Sequence, residues 1–254
     1  MTHTERPVAL VTGVGRRVGI AAGLCQRLAT DGWDLVLTYW SAYDDRQPWG
    51  RQPDDVQQIC EDLGQRGART VAIEADLADP SAPQQLFAAA VQLFQPVTAL
   101  IMAHCESVDS GIMDTTIDSF DRHFAVNARA VWLLIREFAG QLADRSGNGR
   151  IIALTSDHVV HNLPYGASKG ALDRIVIAAA RGLAELRVTA NVINPGPIDT
   201  GWMSEDLRNS VMVANPRGRA GMPSDTAALV SFLCSADGGW INGQLLHSDG
   251  GWKL

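Results

Sequence analysis

The chain has 254 residues, of which 46% are hydrophobic and 19% charged, a composition typical of a globular protein with one large core. Its formal net charge of −7 argues against nucleic acid as the main partner, because phosphate binding needs a basic face. No apolar run approaches the ~18 residues of a membrane span, and the polar start MTHTERP does not resemble a secretory signal. Four scattered cysteines without CxxC spacing fit reduced thiols, so we expect a cytoplasmic protein.

Strand-like and helix-like segments alternate along the chain. We predict strands at 7–12, 34–39, 69–76, 97–103, 149–156, 187–196 and 243–251. We predict helices at 21–30, 54–66, 81–94, 116–145 and 166–186, the fourth of these as one or two helices. Repeated strand–helix units with apolar strands indicate a single α/β domain, a Rossmann fold whose doubly wound parallel sheet of about seven strands carries helices on both faces.

Sheets of this kind bind their ligands at the carboxyl ends of the strands. The segments to examine are therefore Thr12–Ile20, Tyr39–Trp40, Asp76–Leu77, Ala103–Cys105, Thr155–Asp157 and Asn194–Thr200. The segment 40–53, WSAYDDRQPWGRQP, is a long aromatic loop between two predicted elements. Loops of such length are often functional.

The first of these segments is glycine-rich and lies between a strand and a helix. Gly13, Gly15 and Gly19 let the backbone approach a pyrophosphate, which the N–H groups at the helix N-terminus bind. An ordinary turn is the alternative, because such turns use glycine anyway. Gly23 lies inside the following helix and fits close packing better than ligand contact.

The pentapeptide YGASK places Tyr165 and Lys169 on one face at the start of a helix. An ammonium beside a phenol favours the phenolate and lowers the tyrosine pKa. A tyrosine tuned in this way exchanges a proton with a carbonyl or alcohol oxygen near neutral pH. A chance surface pair is the alternative, and the rest of the chain decides against it.

The chain resembles the short-chain dehydrogenase/reductases over nearly its whole length, and among them the 3-oxoacyl-[acyl-carrier-protein] reductases. The resemblance implies a cofactor-binding part mostly within 7–156 and a catalytic and lid region at 156–221. No single motif is specific, but their order and spacing are. They are TGVGRRVGIA, AD at 75–76, VNA at 126–128, TS at 155–156, YGASK at 165–169, NPGPIDT at 194–200, GRAGMP at 218–223, GQ at 243–244 and DGG at 249–251.

The resemblance implies a role for each matching residue in carbonyl reduction or its reverse with NAD(P)(H). Tyr165 is the general acid, Lys169 lowers its pKa and holds the nicotinamide ribose, Ser156 hydrogen-bonds the substrate oxygen, and Asn127 holds a water behind Lys169. Asp76 contacts the adenine. The expected cofactor site comprises Gly13, Arg16, Arg17, Gly19, Ile20, Tyr39, Trp40, Asp76, Leu77, Ala103, Tyr165, Lys169, Pro195, Gly196, Ile198 and Thr200.

The active-site segment departs from the family pattern in two places. Ser156 lies only nine residues before Tyr165, which makes Thr155 a rival hydroxyl and Asp157 a rival acid. We favour Ser156, because the donor must face the reacting oxygen. The second departure is MAHC at 102–105, where the family has NNAG. Without a second ligand at metal spacing, His104 and Cys105 are interpreted as packing residues rather than a metal or thiol site, and His158 and His161 as loop or pocket residues.

The register of the glycine loop and the end of the second strand bear on the choice of cofactor. When the chain is aligned with the family on Leu28–Ala29, the loop has two extra residues, and Ala21 stands at the position of the third glycine. We interpret the loop as a working phosphate cradle. No acid ends the second strand, where Tyr39 and Trp40 stand, so NADP(H) is favoured over NAD(H). Arg16 and Arg17 are candidates to receive a 2′-phosphate, although Asp44 and Asp45 have the option of folding back.

The segment that follows the sixth predicted strand bears on the substrate. Residues 200–221 fall where the family carries a mobile lid, and Trp202, Met203 and Met212 indicate an apolar pocket for a small carbonyl or alcohol compound. We expect a homotetramer or homodimer. Two alternatives stay open, a non-catalytic nucleotide sensor and a pteridine- or enoyl-type reductase of C=N or C=C bonds, whose loop arginine Arg17 loosely matches.

Overall fold

The computed structural model of the protein describes residues 6–94, 96–142, 148–158 and 160–253. Seven parallel strands form one sheet in the order β3-β2-β1-β4-β5-β6-β7, which confirms the predicted doubly wound α/β fold. The order reverses between β1 and β4, which marks the point where such sheets bind ligands. The strands are β1 Val8–Thr12, β2 Asp34–Tyr39, β3 Thr70–Glu74, β4 Val97–Met102, β5 Arg150–Leu154, β6 Thr189–Asn194 and β7 Leu245–His247.

Helices cover both faces of the sheet and divide the core into two clusters. One face packs against α1, α3 and α9, and the other against α4, α6 and α7. Strands β1, β5 and β6 are buried along their whole length, as parallel strands covered on both faces must be. The helices are α1 Ile20–Thr30, α2 Ser41–Asp44, α3 Asp55–Gln65, α4 Ala82–Leu93, α5 Ile117–Phe124, α6 Ala130–Leu142, α7 Leu163–Gly182, α8 Glu205–Ala214 and α9 Pro223–Cys234.

Two local features of the helices shape the site. The predicted helix 116–145 is divided by a π-helical turn, Ala125–Arg129, and its last three residues lie outside the described residues. Such turns inside helices are frequent at functional sites. At Gly23 an added Cβ would lie 2.6 Å from Pro223 Cβ, so α1 approaches α9 closely and the packing interpretation of this glycine is confirmed. Within the described part of the chain, no helix is long and apolar enough to cross a membrane.

Candidate active site and cofactor cleft

A cavity of about 240 Å³ lies at the carboxyl edge of the sheet, beside the point where the strand order reverses. The glycine loop forms one wall, and the residues that follow β2, β3 and β4 form the others. The cavity therefore lies where the sequence analysis expects the ligand site. The predicted cofactor residues that line it are Gly13, Arg16, Gly19, Ile20, Tyr39, Trp40, Asp76, Leu77, Ala103 and Thr200.

The backbone of the glycine loop has the geometry of a phosphate cradle. Gly13 has φ +80°, and a Cβ there would lie 2.8 Å from the backbone of His104. Its N–H and that of Val14 both donate to Thr38 O at 2.9 Å, which fixes the loop over β2. Gly19 is the N-cap of α1 and has no side chain to cover the first N–H groups of that helix. These groups fit a phosphate, as the sequence predicts.

The two loop arginines have different environments. Arg16 lines the cavity, donates to Thr200 O at 2.9 Å and stacks 4.4 Å above the Trp49 ring. Arg17 is turned toward α3, where its guanidinium donates to Gln58 at 2.8 Å and pairs with Asp62 at 3.2 Å. Of the two candidates for a 2′-phosphate, only Arg16 faces the cavity.

The segment 40–53, which we call the arm, folds back over the cleft. Asp44 is buried against the glycine loop, and a Cβ at Gly15 would lie 2.9 Å from its Oδ2. Trp49 Nε1 donates to Asp44 Oδ1 at 2.9 Å. Burial raises the pKa of the Asp44 carboxyl. Of the two arm acids that the sequence left open, Asp44 is the one that turns inward, while Asp45 is exposed and pairs with Arg51.

The residues of the predicted proton-transfer set meet at the end of β5. The Ser156 hydroxyl lies close enough to the Tyr165 phenol to oppose the rise in its pKa. Lys169, buried on the same helix, lies 5.7 Å from the Tyr165 ring centroid and donates from Nζ to Leu154 O at 2.8 Å. Thr155 is turned away, toward Asp173 of α7. The geometry therefore places Ser156, and not Thr155, beside the phenol.

The expected lowering of the Tyr165 pKa by Lys169 is wrong for this arrangement. Burial raises the pKa of the Tyr165 phenol above its ordinary value, with the Cys105 thiol adding to the rise and Ser156 opposing it. Burial likewise lowers the pKa of Lys169. The Lys169 ammonium donates its hydrogen bond to the Leu154 carbonyl. The Tyr165 phenol is therefore in its neutral, proton-donating form.

Asn127 sits in the π-helical turn and connects two parts of the site. It is buried, and its Nδ2 donates to Glu106 O and to Ser168 Oγ, both at 2.9 Å. Its Oδ1 accepts the Glu106 N–H at 2.8 Å. The side chain thus ties the segment after β4 to helix α7, which carries Tyr165 and Lys169. Its expected role of holding a water stays a prediction.

His104 replaces the missing asparagine amides with an imidazole bridge. Its Nε2 lies 3.1 Å from the Val126 carbonyl oxygen and therefore carries the proton, so Nδ1 accepts from Thr12 Oγ1 at 2.6 Å. The Thr12 hydroxyl also accepts the Ala103 N–H at 3.1 Å. Burial lowers the His104 pKa to about 3. The interpretation as an interior residue is confirmed, and among the described residues no His, Cys, Asp and Glu cluster forms a metal site.

A chain of charged side chains borders the cavity, and the sequence analysis did not identify it. Arg122 Nη2 pairs with Asp76 Oδ1 at 3.1 Å, and its Nε pairs with Glu106 Oε2 at 3.0 Å. Glu106 is buried and also receives both Nη groups of Arg46, each at 3.0 Å. The Trp40 ring lies 4.4 Å from the Arg122 guanidinium carbon. Asp76 is at the expected place, but its carboxylate is already paired with Arg122.

Several predicted residues lie outside the cavity. Gly196 has φ +66°, and a Cβ there would lie 2.5 Å from Asp249 Cβ, which makes glycine a packing requirement. His158 donates its backbone N–H to Ser156 Oγ at 3.1 Å, whereas the His161 side chain is exposed at φ +59°. The predicted cofactor residues that do not line the cavity are Arg17, Tyr165, Lys169, Pro195, Gly196 and Ile198.

The fold and the site together define a dinucleotide-dependent oxidoreductase. Residues 13–253 match the family model described as enoyl-(acyl carrier protein) reductase. The chain is 32% identical to the uncharacterized oxidoreductase YjdA of Bacillus subtilis, with 99% of each chain covered. It is 32% identical to an NADPH-dependent aldehyde reductase-like chloroplastic protein of Arabidopsis thaliana, covering 96% of this chain and 93% of the other.

Solved structures agree with these sequence matches. A short-chain dehydrogenase/reductase from Serratia marcescens superposes with a TM-score of 0.85 at 29% identity, covering 99% of this chain and all of the other. A blue fluorescent protein from a metagenomic library, in complex with NADPH, gives 0.85 at 32% identity over 98% of both chains. The chain belongs to the short-chain dehydrogenase/reductase family. It is an oxidoreductase that acts on alcohol or carbonyl groups. The fold of this family binds a nicotinamide cofactor.

Proposed function

We propose that the protein reduces a carbonyl compound to an alcohol, or catalyses the reverse, with NADP(H) and with Tyr165 as the acid or base. The observation that carries the proposal is the position of the Ser156 hydroxyl beside the protonated Tyr165 phenol at the end of β5, with Lys169 Nζ 5.7 Å from the Tyr165 ring centroid. When bound, the nicotinamide cofactor supplies or accepts the hydride. The chain's own residues position the oxygen and move the proton.

Each polar group at this edge has a distinct task in the proposal. Tyr165 donates its proton to the substrate oxygen in reduction and takes it back in oxidation. Ser156 donates a hydrogen bond to the same oxygen and stabilises developing negative charge. Lys169, one turn along the helix and 5.7 Å from the Tyr165 ring centroid, would hold the hydroxyls of the nicotinamide ribose. Asn127 positions α7 through Ser168.

The preference for NADP(H) is supported by the wall of the cavity. Arg16 faces it, and β2 ends on Tyr39 and Trp40 without a carboxylate to repel a 2′-phosphate. Gly13, Gly19 and the start of α1 would hold the pyrophosphate. The NADPH-dependent relative from Arabidopsis thaliana and the NADPH complex of the metagenomic blue fluorescent protein support the same preference.

Replacing each of the two loop arginines with alanine tests the preference for NADP(H). We expect Arg16→Ala to raise the Kd for NADPH about tenfold or more and to leave the Kd for NADH within about twofold, because only NADPH carries the phosphate. Arg17→Ala is the matched control and should leave both constants unchanged, since Arg17 binds α3. Isothermal titration calorimetry measures both. An equal loss in the two variants would contradict the assignment of Arg16.

The neighbouring hydroxyls provide a second test. Ser156→Ala should lower kcat/KM for the carbonyl substrate about 10²–10³-fold, the usual effect of deleting one donor to a developing oxyanion. Thr155→Val should stay within about threefold, because the buried Thr155 hydroxyl has no hydrogen-bond partner among the described residues that the substitution would remove. Steady-state NADPH oxidation is the readout. A larger loss in the threonine variant would transfer the role to Thr155.

The substrate class is proposed as a ketone or aldehyde, with 3-oxoacyl thioesters among the candidates. Trp202 lines the cavity, and α8 follows it in the expected lid region, held by the Arg208–Asp199 pair at 2.8 Å. The description of the matching family favours a second candidate, reduction of a C=C bond in an enoyl thioester. Parallel NADPH-oxidation assays with 3-oxoacyl and 2-enoyl thioesters separate the two.

We also propose a homodimer or homotetramer, which light scattering tests.

A further inference from the structure

The arm places a phenol at the junction between the cofactor cleft and the proton-transfer set. Tyr43 lines the same cavity as the glycine loop. Its hydroxyl lies beside the Cys105 thiol, and burial raises the pKa of the Tyr43 phenol. Glu106 and Tyr165 are near enough to raise that pKa further. Tyr165 itself does not line the cavity, so of these two phenols only Tyr43 reaches the cleft.

The next residue of the arm, Asp44, lies at the glycine-loop end of the cleft. Asp44, buried beside Gly15, puts a carboxyl group against the proposed phosphate cradle. An ionised carboxyl group at this place would repel a pyrophosphate bound to the cradle. The remaining cavity of about 240 Å³ is also smaller than the ~300–1,000 Å³ of ordinary small-molecule sites, and a dinucleotide is a large ligand. The glycine loop and the proton-transfer set fit the cofactor, whereas the arm in this position does not.

A specific contact holds the arm in place. Both Nη groups of Arg46 donate to the Glu106 carboxylate at 3.0 Å, and Gln47 Nε2 donates to Ser107 O at 3.4 Å. Glu106 is buried, whereas the Arg46 side chain is 41% exposed. Arg122 pairs with Glu106 independently at 3.0 Å. When Arg46 leaves, Glu106 keeps one cationic partner, so opening avoids the large cost of an unpaired buried charge.

We propose that the arm is an autoinhibitory strap that occupies the cofactor cleft, latched by Arg46 on Glu106, and that it competes with the dinucleotide for this space. The inference rests on the proposed function, because the competing ligand is the proposed NADP(H). Binding of the cofactor then requires displacement of Tyr43 and Asp44. The measured affinity is lowered by the fraction of molecules in which the arm is closed.

Hydrogen–deuterium exchange of the full chain, with and without NADPH or NADH, tests the proposal without measuring turnover. We expect the dinucleotide to slow exchange in the glycine loop, 13–20, and to speed it in the arm, 41–50. Arg46→Gln should speed arm exchange without cofactor and lower the NADPH Kd about three- to tenfold, since the latch is a charge-assisted but half-exposed contact. Arg51→Gln is the matched control, because Arg51 pairs only with Asp45 of the same arm among the contacts described.

The outcomes separate the strap from the function on which it rests. Slowed exchange in the glycine loop together with slowed or unchanged exchange in the arm overturns the strap and leaves dinucleotide binding intact. An Arg46→Gln variant that binds NADPH no better than the native chain or Arg51→Gln also overturns it. If neither dinucleotide slows the glycine loop in the native chain or in Arg46→Gln, the proposed function falls and the strap with it.

Discussion

Tyr165→Phe is expected to lower kcat for carbonyl reduction about 10²–10⁴-fold, the usual contribution of a positioned general acid. The substitution removes one hydroxyl, so the ring keeps its place on α7 near Lys169. The substrate oxygen then lacks a proton donor, while Ser156 still offers it a hydrogen bond. Stopped-flow or steady-state NADPH oxidation measures the loss.

Cofactor affinity is the internal control for this variant. The substitution leaves the glycine loop and Arg16 unchanged, so the NADPH Kd of Tyr165→Phe should stay within about threefold of the native value. A variant that retains more than about a tenth of native kcat would contradict the role of Tyr165 as acid. Equal losses of affinity and turnover would indicate a structural role instead.

His104→Leu is expected to lower the free energy of unfolding by about 2–4 kcal/mol, because it removes two buried hydrogen bonds and leaves the Val126 carbonyl unpaired. The imidazole is buried between β1 and the π-helical turn. His104→Asn keeps an amide donor and acceptor and should recover part of the loss. Urea denaturation at pH 7 measures both variants. Full stability of His104→Leu would contradict the bridge.

The same residue predicts a dependence of stability on pH. His104 has a pKa of about 3 when folded, below its ordinary value of 6.5, so the unfolded chain takes up the proton first. Its stabilisation is therefore complete above about pH 6.5 and declines as the pH falls toward 3, by about 2 kcal/mol at pH 5. The His104 variants should lose correspondingly less stability between pH 7 and pH 5. Parallel pH profiles for variant and native chain would contradict this.

The sheet was predictable because its strands are short apolar runs separated by helices of the right period. The position of Ser156 beside Tyr165 follows from the same pattern, since Ser156 comes two residues after the end of β5. The position of the glycine loop was predictable too, and α1 begins directly after Gly19. These features depend on local pattern, which a sequence displays.

Long-range contacts were not predictable in this way. Arg16 and Arg17 are adjacent, and only the acids of α3, about forty residues later, turn one of them away from the cleft. The link of Arg46 and Arg122 through Glu106 joins three distant segments. The Tyr165 pKa depends on burial and on the direction of Lys169, neither of which the YGASK spacing contains.

The central claim is that the protein transfers hydride between NADP(H) and a carbonyl carbon with Tyr165 as the acid. The most direct measurement is the reduction of aldehydes, ketones and 3-oxoacyl thioesters with NADPH deuterated at the transferring position, followed by mass spectrometry of the products. We expect an alcohol that carries one deuterium on the former carbonyl carbon, formed by the native chain and lost in Tyr165→Phe. Deuterated NADPH that binds but passes no label to any carbonyl would contradict the claim.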